Sequence, residues 1–370
     1  MHAVINKVSK KISKVVLLLI FIFMFTVSIS ATCLAPVAAA PAKVFSSQLT
    51  DIPGHWGESY ILDLSRMGVV SGYATDKWVS GKKVTTYIFK PDNIINRAEF
   101  SVMLSGALGL APGNANSYAF SDWGSIPTWA RGAVAALNEQ KIVEGFASGN
   151  GTYQFRPTAR ITRAEMVTML TRALALKDLP GAGVKFKDVS QRDWYFQPVS
   201  VAYDLGLVQG RSAGYFVPGG NTTRAEVAAV LCRLLEKDSA PEPDTEELIE
   251  LVSDYYSHMK EVFSNHRPDP LLLYADGELY LALTSGGAGL WEDLKATGGQ
   301  KISISSSGSP EVIKKSHRTA QLKKATTIRV PSSEDLPGMR LKVTELFYLH
   351  LAEDDWKIYY TEVESIKVLE

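Results

Sequence analysis

The sequence is poor in cysteine, with only Cys33 and Cys232 among 370 residues. Such a chain is not a small secreted domain held together by disulfides, so its stability has to come from hydrophobic cores. Cys232 lies in an apolar run, which favours a buried small side chain over pairing with another chain.

An excess of either charge is also missing. The formal net charge is 0 and no run of Lys or Arg occurs, so the composition excludes a nucleic-acid-binding protein. The charge is uneven along the chain, however. Residues 43–237 hold 21 basic against 16 acidic side chains, and residues 244–370 hold 14 against 21. The first part therefore favours an anionic partner, and the second does not.

Recognisable catalytic and metal-binding motifs are absent. The histidines of the C-terminal part are scattered, without acidic neighbours at metal-ligand spacing, and no Gly-x-Ser-x-Gly elbow occurs. The sequence therefore predicts no metal site, no cofactor and no catalytic residue.

Long apolar runs are missing except at the N-terminus. There, a lysine-rich stretch precedes the apolar run 15–29, and small residues follow up to Ala42. This order predicts a secretory signal peptide over residues 1–42, which removes Cys33 on cleavage. An uncleaved membrane anchor is the alternative, but the run is shorter than the ~20 residues that a span needs. We expect a secreted protein without a membrane partner.

One frame of residues occurs three times in the first two thirds of the chain. In each copy a Trp is followed 16 positions later by a Gly, then by Phe-x-Pro and by Arg-Ala-Glu. The tryptophans are Trp56, Trp129 and Trp194, the glycines are Gly72, Gly145 and Gly210, and the arginines are Arg97, Arg163 and Arg224. Only the segment between Gly and Phe varies in length. A fixed frame with one elastic segment indicates a repeated supersecondary unit with a variable loop.

Each Arg-Ala-Glu begins a predicted helix. The residue before the Arg and the Glu itself fit the capping box, in which the two side chains bond each other's backbone amides. The pairs are Asn96 with Glu99, Thr162 with Glu165, and Thr223 with Glu226. We therefore interpret these six residues as helix caps.

The arginines favour a functional interpretation. A cation at the first position of a helix opposes the helix dipole, so a purely structural helix start would avoid it. Free backbone amides at the same place favour an anion, and Arg adds charge to such a site. The alternative is a salt bridge from each Arg to an Asp of its own or a neighbouring repeat.

Two helices with one apolar face apiece cannot bury their own core, so the three copies must pack on each other. We predict an all-α, pseudo-threefold bundle of repeats over residues 43–112, 113–179 and 180–237, with binding sites in the grooves between neighbours. The fold class as a whole is multidomain.

These motifs resemble the surface-layer homology repeat, a module that anchors proteins to cell walls. The resemblance covers roughly residues 46–237 and implies a three-pronged helical spindle. It also implies non-covalent binding of secondary cell wall polysaccharide linked to Gram-positive peptidoglycan, often at a pyruvylated sugar. The motif arginines are implied to contact the ligand carboxylate, and the motif glycines belong to the same sites. For the tryptophans, core packing and ligand contact both stay open.

The resemblance also brings in the aspartate that opens each copy, at Asp51, Asp122 and Asp188. These residues can line the same grooves, but a role in a turn or cap is favoured. The first copy departs from the pattern, because it lacks the opening Phe, has a longer elastic segment and carries Asn96 in place of Thr. We therefore expect the groove of Arg97 to be weakened or closed.

The C-terminal third follows a short stiff linker over residues 238–243. Thr245 opens a helix of about five turns, a hairpin is predicted over residues 271–284, and further strands end in a long hairpin from residue 339. This order predicts an α+β domain over residues 244–370, with a faint likeness to nuclear-transport-factor-like cones. Its partner is not indicated by the sequence.

Three functions remain open at this stage. The first is a wall-anchored, non-enzymatic surface protein whose C-terminal domain is displayed for binding. The second is an anchored enzyme with its active site in the C-terminal cone. The third is a subunit of a surface lattice, which the small C-terminal domain disfavours.

Overall fold

The computed structural model describes most of the chain after the predicted signal peptide. The described residues are 46–79, 82–116, 119–149, 151–174, 186–237, 242–265, 268–286, 303–306, 308–330, 338–352 and 355–369. The predicted signal peptide and residues 238–241 of the predicted linker lie outside these ranges.

Each repeat contributes two helices, the second of which begins at the motif arginine. The first helices are α1 (Glu58–Arg66), α3 (Thr128–Glu139) and α5 (Phe196–Asp204); the second helices are α2 (Arg97–Ala107), α4 (Arg163–Ala173) and α6 (Arg224–Lys237). All three predicted capping boxes are present: the Asn or Thr side chain accepts from the Glu amide at 2.9–3.2 Å, and the Glu carboxylate accepts from the Asn or Thr amide at 2.8–3.0 Å.

The expectation of purely helical repeats is wrong for two elastic segments, which form antiparallel hairpins. The long one pairs β1 (Tyr73–Val79) with β2 (Lys82–Ile88), and the short one pairs β3 (Phe146–Ala147) with β4 (Tyr153–Gln154). Threonine, valine and aromatic residues are frequent in the long segment, and such residues fit a pleated, half-exposed ribbon better than a helix.

The repeats join through backbone hydrogen bonds at the starts of their second helices. Each motif Arg amide donates to a carbonyl of another repeat: Arg97 to Ala159, Arg163 to Gly220 and Arg224 to Asn93, each at 2.9 Å. The bonds run from the first repeat to the second, from the second to the third, and from the third back to the first. Buried apolar residues of all three repeats form one continuous core.

The C-terminal part combines one long helix with an antiparallel sheet, as predicted. Helix α7 (Thr245–Asn265) packs on this sheet. The strands are β5 (Ser303–Ser306), β6 (Glu311–Lys315), β7 (Thr319–Val330), β8 (Met339–Ala352) and β9 (Asp355–Leu369). Their order in the sheet is β5-β7-β8-β9, with β6 also paired to β7.

The hairpin predicted over residues 271–284 is wrong. The segment forms α8 (Asp269–Leu272), α9 (Gly277–Leu281) and a wide helical turn over Ala282–Gly286. Leu279 and Leu283 are four residues apart, and both are buried in the same cluster as the sheet. Helical spacing therefore decides the local structure here, because burial of one face outweighs the turn signal at Asp276 and Gly277.

The C-terminal domain packs against the repeats. Tyr359 and Tyr360 of β9 belong to the core of the repeats, and the Arg66 guanidinium at the end of α1 lies 4.0 Å from the centre of the Tyr360 ring. Arg318 Nη1 donates to the carbonyl of Leu108 at the C-terminal end of α2 (2.8 Å). The domain thus contacts α2 at the end opposite to its motif arginine.

Candidate functional site

The motif arginines are buried and reach across the joints between repeats. Their Nε atoms donate to the carbonyl of the Phe of Phe-x-Pro in the neighbouring repeat: Arg97 to Phe155, Arg163 to Phe216 and Arg224 to Phe89, at 2.8–2.9 Å. Burial is the main cause that lowers the pKa of all three guanidinium groups. The alternative of a salt bridge to an Asp is not found among the ion pairs of the described residues. In that part of the chain, one motif arginine has a carboxylate partner: Arg97 Nη1 lies 3.7 Å from Glu165 Oε2.

The opening aspartates hold a tight turn in each repeat. Each carboxylate accepts from two successive backbone amides at 2.7–2.9 Å: Asp51 from Phe89 and Lys90, Asp122 from Phe155 and Arg156, Asp188 from Phe216 and Val217. The second residue of each pair has a φ of 59–61°, a left-handed conformation that costs energy for a residue with a Cβ. The aspartates thus stabilise the turn whose carbonyl receives the arginine.

The motif glycines sit where the chain passes close to its own repeat. A Cβ on Gly145 would lie 2.7 Å from the carbonyl of Gln154 and 2.7 Å from the ring of Phe120, and the backbone φ there is +74°. Gly72 and Gly210 are crowded in the same way, by Leu49 and by the Tyr215 carbonyl. The absence of a Cβ therefore lets the segment after the first helix pack closely against its own repeat.

The motif tryptophans are exposed, so core packing is the wrong alternative for them. Their exposed fractions are 59% for Trp56, 43% for Trp129 and 63% for Trp194. Within the repeats, Trp123 does fill the core: it is 3% exposed and donates from Nε1 to the Ala115 carbonyl (2.9 Å). No sequence pattern predicts this difference, because both positions fall near the start of helical segments.

One inter-repeat groove contains a cavity of about 300 Å³, which we name the Arg97 groove. Its lining includes Arg97 of the first repeat, Gly145, Phe146, Glu165 and Arg172 of the second, and Trp194 of the third. A volume of this size is within the range of small-molecule sites. Arg97 also lies over the ring of Phe146, with 4.6 Å from its Cζ to the ring centre.

The Arg97 groove is not closed in the structure, and the geometry gives the reason. Arg97 extends into the second repeat, so its groove is walled by residues 142–146 and 165–172 and not by the irregular first copy. The irregular copy instead supplies the surroundings of Arg224, whose Cζ lies 5.0 Å from the Tyr73 ring.

The residue after each motif glycine was missed by the sequence analysis, because it differs in every copy. We name Tyr73, Phe146 and Arg211 the post-glycine residues. The Tyr73 hydroxyl donates to Glu99 Oε1 at 2.9 Å. Arg211 Nη2 lies 2.7 and 2.8 Å from the two carboxylate oxygens of Glu226. Phe146 has no polar atom for the equivalent bond.

Outside the repeats, one buried carboxylate is noteworthy. Glu345 on β8 is 2% exposed and accepts from the Tyr256 hydroxyl on α7 at 2.6 Å. Burial raises the pKa of Glu345 to about 7. Within the described ranges, no three His, Cys, Asp or Glu residues are grouped so as to hold a metal ion, and no helix has the length and apolarity to cross a membrane.

Comparisons with known proteins match the repeats. The profile of the S-layer homology domain fits residues 48–101, 119–167 and 185–228. An endoglucanase of Bacillus sp. (strain KSM-635) is 32% identical over 237 residues, which are 62% of this chain and 22% of that protein. The surface-layer 125 kDa protein of Lysinibacillus sphaericus is 34% identical over 122 residues, 33% of this chain and 10% of that protein.

An amylopullulanase of Thermoanaerobacterium thermosulfurigenes is 31% identical over 217 residues, which are 57% of this chain and 10% of that protein. The chain thus matches between a tenth and about a fifth of the length of these three relatives. The relatives that are enzymes match over the repeats, so they assign no activity to the C-terminal domain.

Three copies of one domain, each with its capped second helix and its arginine joint, account for the first two thirds of the chain. S-layer homology domains are non-catalytic anchors that attach secreted proteins to the cell wall. The chain carries three tandem S-layer homology domains and is a secreted protein of the cell surface, associated with the cell wall.

Proposed function

We propose that the three repeats anchor the protein by binding an anionic, pyruvylated secondary cell wall polysaccharide, and that the Arg97 groove is a binding site for its acidic sugar. The observation that carries the proposal is the cavity of about 300 Å³ to which all three repeats contribute side chains. A guanidinium in a partly enclosed site recognises a carboxylate by charge and by paired hydrogen bonds.

The proposal assigns a task to each wall of the groove. Arg97 supplies the charge for the ligand carboxylate, and the exposed ring of Trp194 supplies an apolar face for a sugar ring. Glu165 and Arg172 lie in the lining as hydrogen-bonding partners for hydroxyl groups. Since the repeats are equivalent, Arg163 with Trp56 would serve a second groove, and Arg224 with Trp129 a third. The motif aspartates and glycines would shape all three sites.

The cyclic order of the arginine joints supports a pseudo-threefold arrangement of repeats 43–112, 113–179 and 180–237. Each repeat donates to the next, and the third donates to the first. We further propose that residues 244–370 form a cone-like domain held by the anchor. Its packing on the repeats gives it a fixed position relative to the grooves instead of a freely tethered one.

A cosedimentation assay tests the anchor. The full mature chain is mixed with purified Gram-positive cell walls, before and after hydrofluoric acid extraction of the secondary polymer. We expect pelleting with intact walls only. Pelleting with extracted walls would contradict a polymer ligand, and no pelleting would contradict anchoring. A synthetic N-acetylhexosamine with a pyruvate ketal should compete, and the same sugar without pyruvate should compete at least tenfold less.

The alternative function, an anchored enzyme, has one observation in its favour. Glu345 has a pKa of about 7, which suits an acid–base group. The carboxylate is nevertheless enclosed by Tyr256 and the sheet, and at 2% exposure it does not reach a substrate in this conformation. A hydrolase assay on wall polysaccharide with wild type and Glu345→Gln tests this alternative, which requires activity that the variant loses.

A further inference from the structure

The three grooves differ in the bond between the post-glycine residue and the cap glutamate. The cavity of the Arg97 groove lies between the segment 142–146 and the helix face 165–172. In the first repeat, the same two walls are joined by the Tyr73 hydroxyl and Glu99 (2.9 Å). In the third repeat they are joined by Arg211 and Glu226 (2.7 and 2.8 Å).

The two bonds lie beside the motif arginines of their grooves, Arg224 and Arg163. Tyr73 places its ring 5.0 Å from the Arg224 guanidinium carbon while its hydroxyl holds Glu99. In the second repeat, Phe146 stacks on Arg97 in the same way, at 4.6 Å, but its ring is not bonded to Glu165. The centre of the Phe146 ring also lies 4.5 Å from the Arg156 Cζ, so contacts with two guanidinium groups hold it. A sugar can displace a ring held by such contacts more easily than one that is held by a charge-assisted hydrogen bond.

The far end of the groove does not explain the difference, because it is linked in the open groove as well. Arg172 Nη1 donates to the Ile142 carbonyl (3.4 Å), and Arg233 Nη1 donates to the Leu207 carbonyl (3.1 Å) at the equivalent place in the third repeat. The second and third repeats therefore share this link and differ at the post-glycine residue.

We propose that the post-glycine residue acts as a gate, so that Phe146 leaves the Arg97 groove open to an acidic sugar while Tyr73 and Arg211 close the grooves of Arg224 and Arg163. This inference rests on the proposed function and gives it a stoichiometry of one acidic sugar per chain. It also makes specificity a property of one position in each repeat. At this position, a single hydroxyl group distinguishes Tyr73 of the first repeat from Phe146 of the second.

Two reciprocal substitutions in the full mature chain test the gate. Phe146→Tyr adds the hydroxyl that should reach Glu165, and Tyr73→Phe removes the hydroxyl that holds Glu99. Tyr153→Phe is the matched control, because it removes a hydroxyl from a tyrosine on β4 that is 50% exposed and does not line the cavity. The probe is a synthetic pyruvylated N-acetylhexosamine, and native mass spectrometry and calorimetry give stoichiometry and affinity.

We expect one site in wild type and in the control, at least tenfold weaker binding for Phe146→Tyr, and a second site for Tyr73→Phe. Three equivalent sites in wild type, or unchanged binding by Phe146→Tyr, would overturn the gate. If the probe does not bind wild type, the proposed sugar is wrong, and cosedimentation with intact walls then decides about the gate. Equal pelleting of wild type and Phe146→Tyr overturns it, and loss of pelleting by Phe146→Tyr alone supports it.

Discussion

Arg224 of the third repeat donates from its Nε to the carbonyl oxygen of Phe89 in the first repeat, 135 positions earlier in the chain, at 2.8 Å. This bond closes the cycle that Arg97 and Arg163 begin. It gives the motif arginines a structural task beside the proposed recognition of a carboxylate. A substitution at these positions therefore affects stability and binding together.

The first prediction concerns this closing bond. Arg224→Ala leaves the buried carbonyl of Phe89 without its donor, which should lower the free energy of unfolding by about 1–3 kcal/mol. The measurement is urea unfolding followed by far-UV circular dichroism. Arg160→Ala is the control, because Arg160 is an exposed arginine near a neighbouring joint. Equal stability of the two variants would show that the closing bond contributes nothing.

The second prediction separates binding from stability at the proposed groove. Trp194→Ala should weaken wall binding about tenfold or more, since a large aromatic contact typically contributes more than 1 kcal/mol at an interface. The unfolding midpoint should change little, because Trp194 is 63% exposed. Cosedimentation over a range of wall concentrations measures the effect.

Trp78→Ala provides the matched control for Trp194→Ala. Trp78 is 74% exposed on the β1–β2 hairpin, so the substitution removes the same side chain from another surface. We expect wall binding like that of wild type. Equal weakening by both variants would mean that exposed tryptophans contribute without regard to the groove.

The third prediction concerns the strained turn held by Asp188. Val217 has a φ of 61°, and a β-branched residue is especially unfavourable in the left-handed region. Val217→Gly should therefore raise the free energy of unfolding by about 1 kcal/mol, despite the greater entropy of glycine in the unfolded chain. Val217→Ala keeps a Cβ and should gain less. A glycine variant that is less stable than wild type would contradict strain at this turn.

The fourth prediction is a pH dependence of the C-terminal domain. Burial raises the pKa of Glu345 from 4.5 to about 7, so the folded state prefers the protonated form. Protonation of Glu345 therefore stabilises the folded domain, and this stabilisation is fully present below the pKa of the unfolded state. It amounts to about 3 kcal/mol and is lost as the pH rises through about 7. The protection factors of the β8 amides, which are corrected for the intrinsic exchange rate at each pH, should therefore fall between pH 5 and pH 8.

Glu345→Gln tests the assignment of this pH dependence. The amide stays neutral and can still accept from the Tyr256 hydroxyl, so protection of β8 should become independent of pH over the same range. Glu362→Gln is the control, because Glu362 accepts from Tyr348 at an exposed position. An unchanged pH dependence in Glu345→Gln would assign it to another group.

Much of the repeat region could be predicted from short-range patterns. The capping pairs lie three positions apart, so their hydrogen bonds follow from local geometry, and all three are present. The hairpin predicted over residues 271–284 failed for the opposite reason. Its turn signal was local, but burial of Leu279 and Leu283 against the distant sheet decided for helix.

The sequence by itself determined the number of repeats, the start of each second helix, the caps and the family, because these depend on residues close together in the chain. Only the tertiary structure decided what each arginine contacts, since the partners of Arg97, Arg163 and Arg224 lie 58, 53 and 135 positions away. It also decided that Arg97 reaches the groove of the second repeat and that Trp194 of the third repeat lines the same cavity. Only the tertiary structure placed Tyr73 and Arg211 against cap glutamates, a bond for which Phe146 has no polar atom. The physical reason is that the grooves form between repeats, so one copy of the motif does not contain a complete site.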